Sequence, residues 1–212
     1  VILMDRMVQT EDESLFTAWI GSDFFQEGVN AGNWLAGYLE EQMRTEEEIN
    51  IVVLQGTDGG TSTIGRTNGF NDVAARQDNW KILEQTGGDF TTAKAREEMK
   101  RLLDTYGDID VVVSQNDDMT FGVLEELENA GISTGTDGDV IVISFDAVRS
   151  ALEKVQAGLI NVDIECNPEQ GPYIEQVIRK LEDGEQAEKY SYVPEQIFTR
   201  DNLTQELIDN RS

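Results

Sequence analysis

Histidine is absent from this 212-residue chain, and cysteine occurs once, as Cys166. A lone cysteine excludes an internal disulfide and a cysteine-based zinc cluster. With no histidine either, a transition-metal site would rest on carboxylates alone, a donor set that suits Mg2+ or Ca2+, and no metal or cofactor is expected. The same lack removes Ser/His and Cys/His nucleophile–base pairs. Basic residues are scarce, 16 Lys+Arg against 42 Asp+Glu, for a net charge of −26. Such a surface repels phosphate backbones and anionic headgroups, so neither nucleic acid nor a membrane surface is an expected partner. The acidic residues are spread along the chain rather than pooled in a tail, as a solvated surface requires. Proline is rare too, at three residues, and there is no Pro-rich linker. No apolar run approaches the ~20 residues of a membrane-spanning helix, and no signal-peptide pattern opens the chain. It opens on Val1, Ile2, Leu3 and Met4, a buried-strand pattern without a polar lead-in, so further residues are expected upstream.

What is present is an alternation of two periods. Residues 1–4 (VILM) and 17–20 (TAWI) are short apolar runs. Ala31, Trp34, Leu35, Tyr38 and Leu39 then recur at helical spacing. Strands are expected at 50–55 (NIVVLQ), 81–83 (KIL), 110–114 (DVVVS), 140–145 (VIVISF) and 159–164. Helices fall between them, over Phe70 and Val73, over Ala95, Met99, Leu102 and Leu103, over Phe121, Leu124 and Leu127, and over Val148, Leu152 and Val155. A last helix runs over Ile174, Val177, Ile178 and Leu181 and ends at Gly184. Strands alternating with helices at this spacing imply βαβ units, and apolar strands without polar alternation imply cover on both faces. The expected fold is a doubly wound parallel α/β protein.

In such sheets ligands sit beyond the carboxyl ends of the strands. Here nearly every strand runs into polar or aromatic residues: Asp5 and Arg6, Ser22 and Asp23, Gly56 and Thr57 with Arg66 in the next helix, Asp89 and Phe90, Asn116 to Asp118, Asp146, and Glu165. Singly, each has an ordinary explanation. Ser22, Asp117 and Asp118 are good helix N-caps; Phe90 and Phe145 are core-like; Arg66 suits a helix surface. Together they make a set of carboxylates, an amide, an arginine fork and aromatic faces, which is what a neutral polyol requires.

Catalytic readings fit less well. Asp117 and Asp118 are adjacent, so their side chains diverge and cannot flank one glycosidic bond as acid and base. Asp5 and Asp146 could do so, but nothing in the sequence separates them from hydroxyl acceptors. The segment GTDGGTS after a strand lacks the spacing and the Lys-Ser/Thr pair of a phosphate loop, and reads as a tight turn.

The motifs VILMDR, WIGSDF, VVLQGT, GDFT, VVVSQNDDM, VISFDAV and INVDIE, in this order, resemble the type I periplasmic sugar-binding proteins, the ribose- and galactofuranose-binding branch above all. The resemblance runs from Val1 to about Leu181. It implies two lobes that close on a monosaccharide and present it to the membrane subunits of an ABC permease, outside the cytoplasm, with a lipoprotein anchor in the full-length protein. It implies no enzyme. Carried over by motif, the sugar-binding positions are Asp5, Arg6, Ser22, Arg66, Phe90, Asn116, Asp146 and Glu165. Ribose binders have Gln where this chain has Cys166, which leans the reading towards galactofuranose. The resemblance also implies that 1–22 and 166–191 belong to an incomplete N-lobe, the second part being its return helix. Residues 23–165 form the C-lobe, and 192–212 cross the hinge and form the tail. Two other readings stay open: the sugar-effector domain of a LacI-type transcriptional regulator, and a carbohydrate-active enzyme.

Overall fold

The computed structural model describes residues 1–8 and 10–211. Two sheets divide the chain. The smaller holds three parallel strands, β1 (Ile2–Met4), β2 (Ala18–Gly21) and β8 (Tyr190–Tyr192), in the order β1-β2-β8. Helix α6 (Gly171–Glu182) packs on it, and Ala18, Ile20, Val177 and Val193 make its core.

The larger sheet has the order β4-β3-β5-β6-β7-β9. Its strands are β3 (Ile49–Gln55), β4 (Trp80–Gly87), β5 (Val111–Ser114), β6 (Ile141–Asp146), β7 (Val162–Glu165) and β9 (Ile197–Thr199), and only β9 runs antiparallel to its neighbour. Successive side chains point to opposite faces, and both faces are covered. Ile51, Val53, Val111 and Val113 pack on one face with Leu35, Leu39 and Phe70 of helices α1 (Phe24–Glu41) and α2 (Thr61–Ala74). Val52, Leu54, Val112 and Val142 face the other way, onto α3 (Thr92–Thr105), α4 (Asp117–Asn129) and α5 (Arg149–Gln156) through Met99, Leu102, Met119, Val123 and Val155. That double cover is why these strands carry no polar alternation.

Helices α1 and α2 touch almost backbone to backbone. A Cβ on Gly28 would lie 2.3 Å from the Arg66 carbonyl oxygen, and one on Gly69 would lie 2.0 Å from that of Phe25. The close approach brings the buried face of α1 against the part of α2 that carries Arg66.

The chain passes between the two sheets and their helices at Ser22–Asp23, at 166–170 and at 193–196. Residues 192–212, expected as a crossing and a tail, contribute more than that. β9 extends the larger sheet, and α7 (Gln205–Asp209) buries Ile208 with Phe198, Leu152 and Ala147. Two strand expectations also shift. β4 runs on to Gly87, and the strand expected from 159 begins at Val162, because Gly158 at φ +80° closes α5 and leaves Leu159 exposed.

Candidate functional site

Sheet order reverses between β3 and β5, since β4 lies to one side of β3 and β5 to β7 follow on the other. The crevice beyond the strand ends at such a point is where open α/β sheets bind ligands. A cavity of about 160 Å³ opens there, lined by Asp5, Arg6, Phe24, Ser62, Arg66, Phe90, Asn116, Asp146 and Cys166. A larger hollow of about 680 Å³ lies on the surface of α3 and α4, but its Arg96 is already paired with Glu126 and no strand end reaches it.

Arg66 forms the floor. Its side chain is only 3% exposed. Nε donates to Glu27 Oε2 at 2.5 Å, Nη2 donates to Asp146 Oδ1 at 2.9 Å, and Nη1 donates to the Gln115 carbonyl. The guanidinium lies over the Phe145 ring at 5.0 Å and near Phe24 at 5.7 Å. Arg66 is therefore a buried, doubly neutralised cation rather than a surface residue, and it has fixed geometry.

Asp146 ends β6 at φ 106°, followed by Ala147 at 64°. Asp5 (62°), Asp89 (56°) and Phe90 (55°) are likewise left-handed. Met43 is the only other described non-glycine residue in this region of backbone space. Backbone strain thus gathers around one crevice, where surrounding structure must hold it in place. Phe90 can occupy its position because residue 56 is glycine: a Cβ there would sit 1.9 Å from Phe90 Cζ. The ring lies against the backbone of the β3 turn, with the Arg6 guanidinium 5.9 Å from its centre.

Asn116 caps α4, its Oδ1 accepting from the Met119 N–H at 2.9 Å, which leaves the amide NH2 available to the cleft. This corrects the assignment of Asp117 or Asp118 as caps. Asp117 is buried behind the cleft, where Ser144 Oγ donates to it at 2.5 Å and the Val148 N–H at 2.8 Å. Burial and the neighbouring Asp146 push it up to about 7. Asp163 sits beside it, fully buried and held well above the usual carboxylate range by burial and the Asp117 charge. Asp23, not Ser22, caps α1.

Six of the eight residues singled out in the sequence line this cavity: Asp5, Arg6, Arg66, Phe90, Asn116 and Asp146. The other two do not. Ser22 lies beneath Cys166, with Oγ 3.4 Å from Sγ. Glu165 turns away from the cleft. Its Oε1 pairs with Arg211 Nη1 at 2.5 Å and its Oε2 accepts from the Gln196 N–H at 2.8 Å, so it locks the second crossing to the third. Phe24, Ser62 and Cys166 were not singled out as site residues, and neither was Glu27 behind them. Glu27 did leave a trace: it sits on the same helical face as Phe24, Ala31 and Leu35, and a glutamate in an apolar stripe needs a buried partner.

The crevice thus offers carboxylates, an amide, a hydroxyl and an aromatic face, while both arginines stand beside carboxylates. That inventory suits a neutral, polyhydroxylated molecule better than an anion.

Known proteins resemble this chain in sequence and fold. The Escherichia coli K12 galactofuranose-binding protein YtfQ is 29% identical over 211 residues, 98% of this chain and 64% of the relative. A Mycobacterium smegmatis protein solved in complex with β-D-fucofuranose is 34% identical, with a TM-score of 0.85 over 94% of this chain and 64% of its own. The periplasmic binding protein of the arabinose ABC transporter from Shewanella sp. ANA-3, bound to L-arabinofuranose, is 32% identical with a TM-score of 0.85, covering 94% and 65%. The chain spans a little under two thirds of the length of each of these. The family profile for the periplasmic binding protein domain matches residues 1–186, and the chain belongs to that family.

Proposed function

We propose that this protein receives a neutral monosaccharide of the furanose class in the crevice between its lobes and delivers it to the membrane subunits of an ABC importer. The observation that carries this reading is the convergence of Arg66, Asp146, Asn116 and Phe90 at the switch point of the larger sheet. Asp146 and Asp5 accept from neighbouring hydroxyls, the Asn116 amide donates, and Phe90 covers the C–H face of the ring. Arg66, held by Glu27, fixes the Asp146 carboxylate and has further N–H donors to give. Relatives that bind galactofuranose, fucofuranose and arabinofuranose support the ligand class. Ser22 and Glu165 serve the crossings on which the lobes turn, the second by tying Gln196 and Arg211 together. The relatives are described as binding proteins, which supports reception rather than turnover. Among the described residues no helix is long and apolar enough to cross a membrane. Work outside the cytoplasm, with a lipid anchor on the full-length protein, fits a receptor that hands ligand to a permease.

Isothermal titration against galactose, arabinose, fucose, ribose and xylitol, with sugar phosphates as controls, tests the reading. One-site binding of a neutral sugar and none of the phosphates is expected. Silence across the neutral panel, or preference for a phosphate, would overturn it.

A further inference from the structure

Behind the Arg66–Asp146 pair, the crossings bring together two carboxyls and the only thiol of the chain. Glu27 comes from α1, Cys166 from the second crossing and Glu195 from the third, and one ligand-capable atom of each lies within 4.8 Å of the others. The Glu27 side chain has no solvent exposure. Its Oε2 is taken by Arg66 Nε, whereas its buried Oε1 has no hydrogen-bond partner among the described residues. A dry carboxylate oxygen without a donor is an unfavourable arrangement unless something binds it. Glu195 Oε1 accepts from the Asn167 N–H at 3.1 Å, which orients its carboxylate. Cys166 also lines the sugar cavity, so the cluster has an entry path.

We propose that Glu27, Cys166 and Glu195 form a hinge-side site for a thiophilic divalent cation such as Zn2+. One thiolate and two carboxylates make three ligands of a tetrahedral set. Zinc bond lengths put such ligands ~3.5 Å apart, so the side chains close by ~1 Å on binding. Arg66 keeps Glu27 Oε2 and Asp146 while the ion takes Oε1. The metal–sulfur bond forms as the Cys166 thiol proton leaves to solvent, so affinity rises with pH. An ion here ties α1 to the second and third crossings and stiffens the hinge.

The test is titration of the reduced protein with Cd2+, following the ultraviolet thiolate-to-metal charge-transfer band, which carboxylates on the acidic surface do not produce. The expected result is a band saturating at one equivalent, absent in Cys166→Ser, at least tenfold weaker in affinity in Glu195→Gln and Glu27→Gln, and tighter at pH 8 than at pH 6. Glu195→Gln leaves the Arg66 pair intact, so it serves if Glu27→Gln does not fold. No band at one equivalent, or a band of unchanged affinity in the glutamine variants, would overturn the proposal.

Discussion

Arg66 Nη2 donates to Asp146 Oδ1 at 2.9 Å, joining helix α2 to the last residue of β6 on the floor of the cleft. Glu27 holds the other edge of the guanidinium. Removing the cation breaks a buried pair and leaves the Glu27 carboxyl without its donor. Arg66→Ala should therefore destabilise the protein by about 3–5 kcal/mol, read from urea unfolding. Adding Glu27→Gln to that variant should recover part of the loss, because the stranded carboxyl goes with it.

Asp146→Asn keeps an oxygen for Arg66 and should fold, but it exchanges a charged acceptor for a neutral one. Hydrogen bonds to charged groups contribute about 1.5–3 kcal/mol. A tenfold or greater loss of sugar affinity by titration calorimetry is the expected outcome, with the unfolding midpoint moving far less than for Arg66→Ala.

Most of the larger lobe is legible in the sequence because buried parallel strands are short continuous apolar runs and the helices between them keep a 3.6 period. Residues 50–55 and 140–145 needed nothing else. β9 was not legible: three residues carry too little pattern, and Ile197 and Phe198 find their partners only through β7 and α7. Within the site, Asp5, Phe90 and Asp146 were findable because they lie at or within three residues of strand ends. Cys166 and Glu165 show the limit of that rule. Adjacent side chains at a strand end point to opposite sides, so Cys166 faces the cleft while Glu165 turns to Arg211. Chain position alone does not tell which is which. Glu27 and Glu195 are distant in sequence and meet only through the close packing of the crossings.

Gly56 makes room for Phe90. In Gly56→Ala the new methyl would lie 1.9 Å from the ring's Cζ, so the ring must leave its place against the β3 turn. Sugar affinity should fall roughly tenfold, about 1.4 kcal/mol, if an aromatic cover is lost. Phe90→Ala should show a similar loss, and the double variant should lose little more, since both changes remove the same contact. Affinities of the four proteins by calorimetry check this.

Asp117 and Asp163 form a second buried acid pair, with Ser144, the Ala147 and Val148 N–H groups and Asp146 around it. Asp163 Oδ2 meets no donor among the described residues; protonated, it becomes a donor to Asp117. Both groups lie above their ordinary value of 3.8 in the folded protein, Asp117 at about 7 and Asp163 well raised by burial and the Asp117 charge. A raised acid favours folding while it is protonated. That contribution is complete below the unfolded value and is lost as pH rises through the folded one. Stability should therefore decline from about pH 4 to about pH 7. Asp163→Asn carries a permanent donor and should decline less, ending closer to or above the wild type at the upper end of that range. Thermal midpoints across that range decide it. Glu27, also at about 7, leaves a residual slope in the variant.

The most direct measurement is a crystal structure of the protein with a saturating methyl furanoside of galactose or arabinose. The sugar should lie in the crevice with Asp146 and the Asn116 amide within hydrogen-bond distance of its hydroxyls and the Phe90 ring against its C–H face. A sugar bound elsewhere on the molecule, or a crevice in which Asp146 and Asn116 make no contact with it, would contradict the account.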